Sequence, residues 1–242
     1  MPQWDEQVLG PASAIQIWKD YDNPPLPLTP DQLNLHYCGN CQLTWLDGNL
    51  GVPSPHAYHS IYANTDRTVV VFADGTCPPS TSLATIPSIG VYFGSESIYN
   101  ISKRAANNGR LPTRQAAEIA AAAEALRQVR QTVEPVRRAM IRGMLPFVAE
   151  DCRRDMRQFR LVVATDSAYV VESMCRRIKY WTAANGTYRN VNSHTIINGR
   201  GFAELTDEVA KLSMMGIQVA WYHVPPYFNQ EASRLARLAL RS

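Results

Sequence analysis

The sequence predicts an α/β fold: a five-stranded mixed sheet flanked by helices, behind a Pro-rich irregular N-terminal extension. Three observations predict it. Half of the 16 prolines lie in the first 66 of the 242 residues. From Arg67 onward, short apolar β-branched runs alternate with helical patterns. Three strand-like runs come first, and helices then alternate with two more, the order of a mixed sheet with helices on its faces.

The extension, residues 1–66, contains PPLPLTP at 24–30 and VPSP at 52–55. Proline lacks the N–H that a helix interior or a central strand requires. This stretch is therefore expected to be irregular, and residues 67–242 to form the folded domain. TVVVFA (68–73), SIGVYFG (88–94) and SIYNIS (97–102) read as strands, with a Pro- and Ser-rich loop between the first two. Residues 113–133 are a strong helix, rich in alanine and with Thr113 placed as N-cap. FRLVVAT (159–165) is a buried strand, 166–181 an amphipathic helix, 202–215 another helix, 216–224 the fifth strand and 229–240 a closing helix.

Composition limits the function classes without choosing among them. Hydrophobic residues make up 45% and charged residues 19%, which excludes a wholly disordered chain. The five cysteines are few, odd in number and scattered, so no disulfide framework is expected. The N-terminus has no basic segment followed by a long apolar one, and no stretch is long enough to span a bilayer. The expectation is an intracellular protein, in nucleus or cytoplasm, without a membrane partner. A formal charge of +3 neither announces nor excludes nucleic acid, but it conceals an uneven distribution. Residues 127–160 carry nine arginines against four acids, leaving −2 for the remainder. Arginine suits phosphate recognition because its fork donates two parallel hydrogen bonds. A solvated, ion-paired surface is the equally weighted alternative.

Three carboxylates stand at the ends of predicted elements. Asp74 follows an apolar strand and precedes Gly75, Asp166 has the same placement before a helix, and Glu118 lies early in the alanine-rich helix. Gathered together they would need cations to stay ionised, and oxygen-only ligands favour Mg²⁺ or Mn²⁺. Read singly, they are a turn acid, an N-cap and a solvated helix residue.

The surrounding segments FADGTC, GVYFG, TRQAAEIAAAAEAL, VVATDSAYVV, WYHVPP and NQEASRLA, in that order over residues 67 to 240, resemble the type 1 ribonuclease H family. The resemblance implies a divalent-metal nuclease, an endonuclease cutting the RNA strand of RNA/DNA hybrids. It maps three of the family's four carboxylates onto Asp74, Glu118 and Asp166, which would be both catalytic and metal-binding. The fourth falls on Ser233, a neutral hydroxyl and a poor ligand for a hard divalent ion. Glu231, about 200° away around the helix, cannot replace it, and Asn229 offers only an uncharged amide. Weakened catalysis is the expectation, and a catalytically inactive nucleic-acid- or protein-binding module the alternative. Thr113, Gln115 and Asn198 match the family's substrate-binding positions. Phe202 matches a core aromatic. The position of the basic protrusion found in some members holds only Arg189 as a cation, and the loop before Ser233 lacks histidine after His223.

Outside the resemblance, Cys38 and Cys41 with His56 and His59 give C-x₂-C-x₁₄-H-x₂-H, a candidate structural zinc site. The histidines are one residue closer than usual, and reduced cysteines in a packed turn are the alternative reading.

Overall fold

The computed structural model describes residues 3–5, 15–19, 35–46, 68–78, 86–105, 112–144 and 159–241. Its strands are β1 (Gln3–Asp5), β2 (Ile15–Lys19), β3 (Leu35–Cys38), β4 (Leu43–Leu46), β5 (Thr68–Thr76), β6 (Ser88–Tyr92), β7 (Ile101–Arg104), β8 (Phe159–Thr165), β9 (Thr182–Ala184), β10 (Thr187–Arg189) and β11 (Ile217–His223). The α-helices are α1 (Arg114–Gln128), α2 (Glu134–Met144), α3 (Ala168–Glu172), α4 (Gly199–Met214) and α5 (Gln230–Arg241). A π-helical turn, Val129–Val133, joins α1 to α2, and another, Ser173–Arg177, continues α3.

The expected mixed sheet with flanking helices is present. In space its five expected strands run β7-β6-β5-β8-β11, antiparallel across β6 and parallel from β5 through β8 to β11. Two expectations need correction. The sheet has nine strands, because the Pro-rich segment is not irregular throughout: β1 and β2 extend it beyond β11, and β3 and β4 beyond β5. None of those four strands contains proline, so the prolines punctuate them rather than preclude them. The third strand begins at Ile101, because Ser97 and Asn100 close a turn on Gly94 and Ser97 through backbone hydrogen bonds of 3.3 and 3.1 Å.

β5 is long enough to share one edge between two partners. Thr68–Val70 pair with β4, and Phe72–Thr76 pair with β6. Alternation along β5 sends Val69, Val71 and Ala73 into the main core with α1 and α4, and Val70 and Phe72 into a smaller core under α5. Asp74 follows the second set, so it belongs to the α5 face.

Close approaches fix both helices. A Cβ on Gly75 would lie 2.0 Å from the Ala117 carbonyl carbon, and one on Gly90 would lie 2.0 Å from the Ala232 oxygen. Only glycine lets α1 and α5 approach this near. Two side-chain hydrogen bonds complete the seating of α5: Ser88 Oγ donates to the Ala236 carbonyl at 2.6 Å, and Ser102 Oγ to that of Leu235 at 2.7 Å.

The arginine-rich segment is mostly ion-paired where it is described. Glu134, fully buried at the start of α2, accepts from Arg137 at 2.8 Å and Arg138 at 2.6 Å. Arg130 donates to both oxygens of Glu208 at 2.7 and 3.1 Å, tying the π turn to α4, and Arg127 pairs with Glu124. The ion-paired reading therefore holds for these four; residues 145–158 lie outside the described residues. Among the described residues, no helix is long and apolar enough to cross a membrane.

Candidate active site

Asp74 and Asp166 become neighbours through strand register. In the parallel β5–β8 pair Phe72 lies opposite Ala164; two residues further along the chain stand Asp74, still within β5, and Asp166, just past the end of β8. Glu118 reaches the same place from the opposite face, carried by α1 against Gly75 at the end of β5. The fold thus gathers all three carboxylates at the carboxyl ends of the parallel strands β5 and β8, where open α/β sheets form crevices. Asp74 is 5% exposed and Glu118 8%.

Each carboxylate has one oxygen held by a neutral donor. Ser233 Oγ donates to Asp74 Oδ2 at 2.5 Å, and Ser167 Oγ donates to Glu118 Oε2 at 2.5 Å. Asn229 Nδ2 donates to Asp166 Oδ1 at 2.6 Å and to the Ala73 carbonyl at 3.0 Å, clamping β5 and β8 together under α5. Two of the other three oxygens face one cation. Arg114 Nε donates to Glu118 Oε1 at 2.9 Å, and its Nη2 lies 3.6 Å from Asp166 Oδ2. The third, Asp74 Oδ1, is buried with no partner among the described residues, as is Asn229 Oδ1.

The electrostatics follow from this arrangement. Burial pushes the Asp74 carboxyl above its ordinary range; the Ser233 hydrogen bond pulls it back, and Asp166 raises it further. Burial likewise raises Glu118, against the hydrogen bond from Ser167 and the charge of Arg114. Burial alone would lower the pKa of the Arg114 guanidinium, but Glu118, Asp74 and Asp166 outweigh it and raise it. Two buried acceptors without donors call for a cation or a proton. The all-oxygen donor set of Asp74, Glu118 and Asp166 is of the chemical type that suits Mg²⁺ or Mn²⁺. In arrangement, no group of three His, Cys, Asp or Glu side chains among the described residues could hold an ion as placed.

The remaining sequence candidates are placed as follows. Thr113 caps α1, its Oγ1 accepting from Ala116 N at 3.0 Å, which leaves its O–H free to donate outward. Gln115 is exposed beside it. Asn198 starts α4 in the left-handed conformation at φ 61°, and its Nδ2 is buried without an acceptor among the described residues. Phe202 is core, packed edge-on against Tyr169 and Trp181. Cys38 and Cys41 flank the β3–β4 turn, and burial raises the Cys41 thiol to about 11 while Trp45 Nε1 donates to its sulfur at 3.2 Å. Cys38 is buried in the core. His56 and His59 lie outside the described residues, so their share of a zinc site is not described.

Sequence reasoning leaves three participants unassigned: Arg114, Ser167 and the Asn229 clamp. Arg114 has a signal, because it is a cation four residues before an acid on one helix. Ser167 follows an acid at a helix start, the position of an N-cap, and it does accept from Val170 N at 3.3 Å. Asn229 acts through its amide nitrogen, whereas the sequence suggests only its oxygen as a metal ligand.

No protein-family model and no curated protein matches the sequence. Among solved structures, the chain is similar to the N-terminal ribonuclease H domain of a Mycobacterium tuberculosis protein, solved as a fusion with maltose-binding protein. Identity is 17%, coverage 71% of this chain and 98% of that one, and the TM-score 0.39. It is similar to ribonuclease H1 from Halobacterium salinarum at 16% identity, covering 72% and 98% of the two chains with a TM-score of 0.38. The foamy viral protease-reverse transcriptase in complex with an RNA/DNA hybrid aligns at 15% identity, over 79% of this chain and 21% of that one, with a TM-score of 0.47.

Proposed function

We propose that this chain is a ribonuclease H-type hydrolase cleaving the RNA strand of RNA/DNA hybrids, with activity weakened by the neutral Ser233. One observation carries the reading. Asp74, Glu118 and Asp166, which the sequence resemblance singles out, come from three separate parts of the chain and meet around Arg114, which pairs with Glu118 and Asp166 and feels the charge of Asp74. Scattered caps or turn acids would not be brought together in this way. A divalent ion bound by these carboxylates would supply a Lewis acid for the scissile phosphate and a lowered pKa for a water.

The chain's own residues would do the rest. Ser167 and Asn229 hold Glu118 and Asp166 in orientation, and Ser233 does the same for Asp74. The O–H of Thr113 and the amide of the exposed Gln115 would meet a phosphate and a groove edge, whereas Asn198 Nδ2, buried and without an acceptor among the described residues, would have to be uncovered first.

A second reading has its own support. Ser233 and Arg114 together make this site less anionic than four carboxylates would be, which favours a nucleic-acid-binding module without catalysis. Labelled RNA/DNA hybrid incubated with Mg²⁺ or Mn²⁺ separates the two. Cleavage lost in Asp74→Asn supports the hydrolase. Cleavage appearing only in Ser233→Asp identifies a disabled nuclease that still binds its substrate. Neither cleavage nor binding by any variant would refute both readings.

A further inference from the structure

Arg114 is the first residue of α1, where the unpaired N–H groups of the helix disfavour a cation. The helix terminus therefore does not explain its position; the carboxylates do. Its side chain is 65% exposed, whereas those of Glu118 and Asp166 are 9% and 7% exposed. A long, solvated side chain thus lies across two buried carboxylates whose orientation is fixed by buried neutral donors. Glu118 Oε1 and Asp166 Oδ2, the oxygens left by Ser167 and Asn229, are the two that Arg114 engages. Asp74 Oδ1 remains without a partner among the described residues, and so does the oxygen of Asn229, a side chain buried completely. The guanidinium satisfies part of a cation site and leaves part of it open.

We propose that Arg114 is a built-in counter-cation that competes with a divalent metal for Glu118 and Asp166, and must swing outward before an ion can be held. The inference rests on the metal-dependent reading above and deepens it by naming what controls access to the site. Outward movement disrupts no apolar packing, because the Arg114 side chain is not part of either hydrophobic core; it gives up only the pairs with Glu118 and Asp166. Ions and guanidinium then exclude one another by charge as well as by space. Once displaced, the same guanidinium stands at the mouth of the site, where it can take a substrate phosphate by its fork.

The test titrates the full chain with MnCl₂ and with MgCl₂ by calorimetry, alongside the metal-induced shift in Tm. Wild type, Arg114→Gln and Arg114→Lys are compared, with Asp166→Asn as a control for the site. Arg114→Gln should bind the metal about tenfold more tightly than wild type, the scale of repulsion between a guanidinium and a divalent ion a few ångströms apart in a solvated site. Arg114→Lys keeps the charge and should stay nearer to wild type. Asp166→Asn should lose the binding. Equal or weaker metal binding by Arg114→Gln overturns the proposal, as does an absence of binding in every variant. Circular dichroism melts without metal establish that each variant is folded. Tighter binding by Arg114→Gln with no hybrid cleavage would leave the inference standing and refute the hydrolase. Cleavage with unchanged binding would do the reverse.

Discussion

Ser233 Oγ donates a hydrogen bond of 2.5 Å to Asp74 Oδ2, spanning 159 residues of sequence and joining α5 to the end of β5. A hydroxyl here steadies the carboxylate as a donor, where a fourth carboxylate would repel it. Among the described residues, neutral donors and one guanidinium orient the three carboxylates.

Ser233→Asp should reverse that balance. Placing a second carboxylate beside Asp74 costs about 1–4 kcal/mol when the two charges are roughly 4 Å apart in a partly solvated site. Urea unfolding in EDTA should report this loss, and millimolar Mn²⁺ should restore more stability to the variant than it adds to wild type. A variant as stable as wild type in EDTA would contradict the geometry.

Ser167 performs two tasks with one hydroxyl. Its oxygen accepts from Val170 N at 3.3 Å as the cap of α3, and its hydrogen goes to Glu118. Ser167→Ala should therefore cost about 1–3 kcal/mol, because it removes both a cap and a bond to a charged group. Hybrid cleavage should fall as Glu118 loses its orientation, while a cap replacement such as Ser167→Gly should not recover it. Chemical denaturation and the cleavage rate are the two readouts.

The Arg130–Glu208 pair sets a pH dependence of known sign. Burial would raise the Glu208 carboxyl, but hydrogen bonds from Arg130 and Lys211 outweigh it and hold it below 4.5, the ordinary value for Glu. The folded state therefore binds the proton less readily than the unfolded chain. The pair's stabilisation is present above pH 4.5 and is lost as pH falls through the depressed value. Arg130→Gln should lower stability by about 1–3 kcal/mol at neutral pH and flatten this acid limb, as read from Tm against pH.

The arginines of α2 are predicted to be structural. Arg138 spans the buried Glu134 and the Met215 carbonyl, the latter at 3.1 Å. Arg138→Gln should lower the urea midpoint by an amount equivalent to about 1–3 kcal/mol. The slope of log Kd for hybrid against log salt should not change, whereas removing a cation that neutralises a phosphate would reduce that slope by about one. A reduced slope would return this residue to the nucleic-acid surface.

Much of the fold was legible because β-branched runs and alanine-rich helical stretches are strong local signals. Thr68–Thr76, Phe159–Thr165 and Ile217–His223 are strands within a few residues of expectation. The nine-strand width was not legible. Strands as short as LHYC and LTWL gain their stability from pairing with neighbouring strands and not from local propensity, and clustered prolines masked them. The helix expected over 113–133 continues through a π turn into α2, and Pro135, which has no N–H to donate back into the preceding turn, is the one local signal of that irregularity.

By itself the sequence determined the mixed α/β architecture, the order of its elements and the identities of Asp74, Glu118, Asp166 and Ser233. Those are properties of periodicity and motif, which are local in the chain. Only the tertiary structure decided how the site's charges are balanced. The parallel register sets Asp74 beside Asp166, two glycines bring α1 and α5 down onto the sheet, and Arg114 closes on the oxygens that Ser167 and Asn229 leave free. Apart from the local Arg114–Glu118 pair, these contacts join residues distant in sequence and form only when strands pair and helices pack, so no local pattern could encode them.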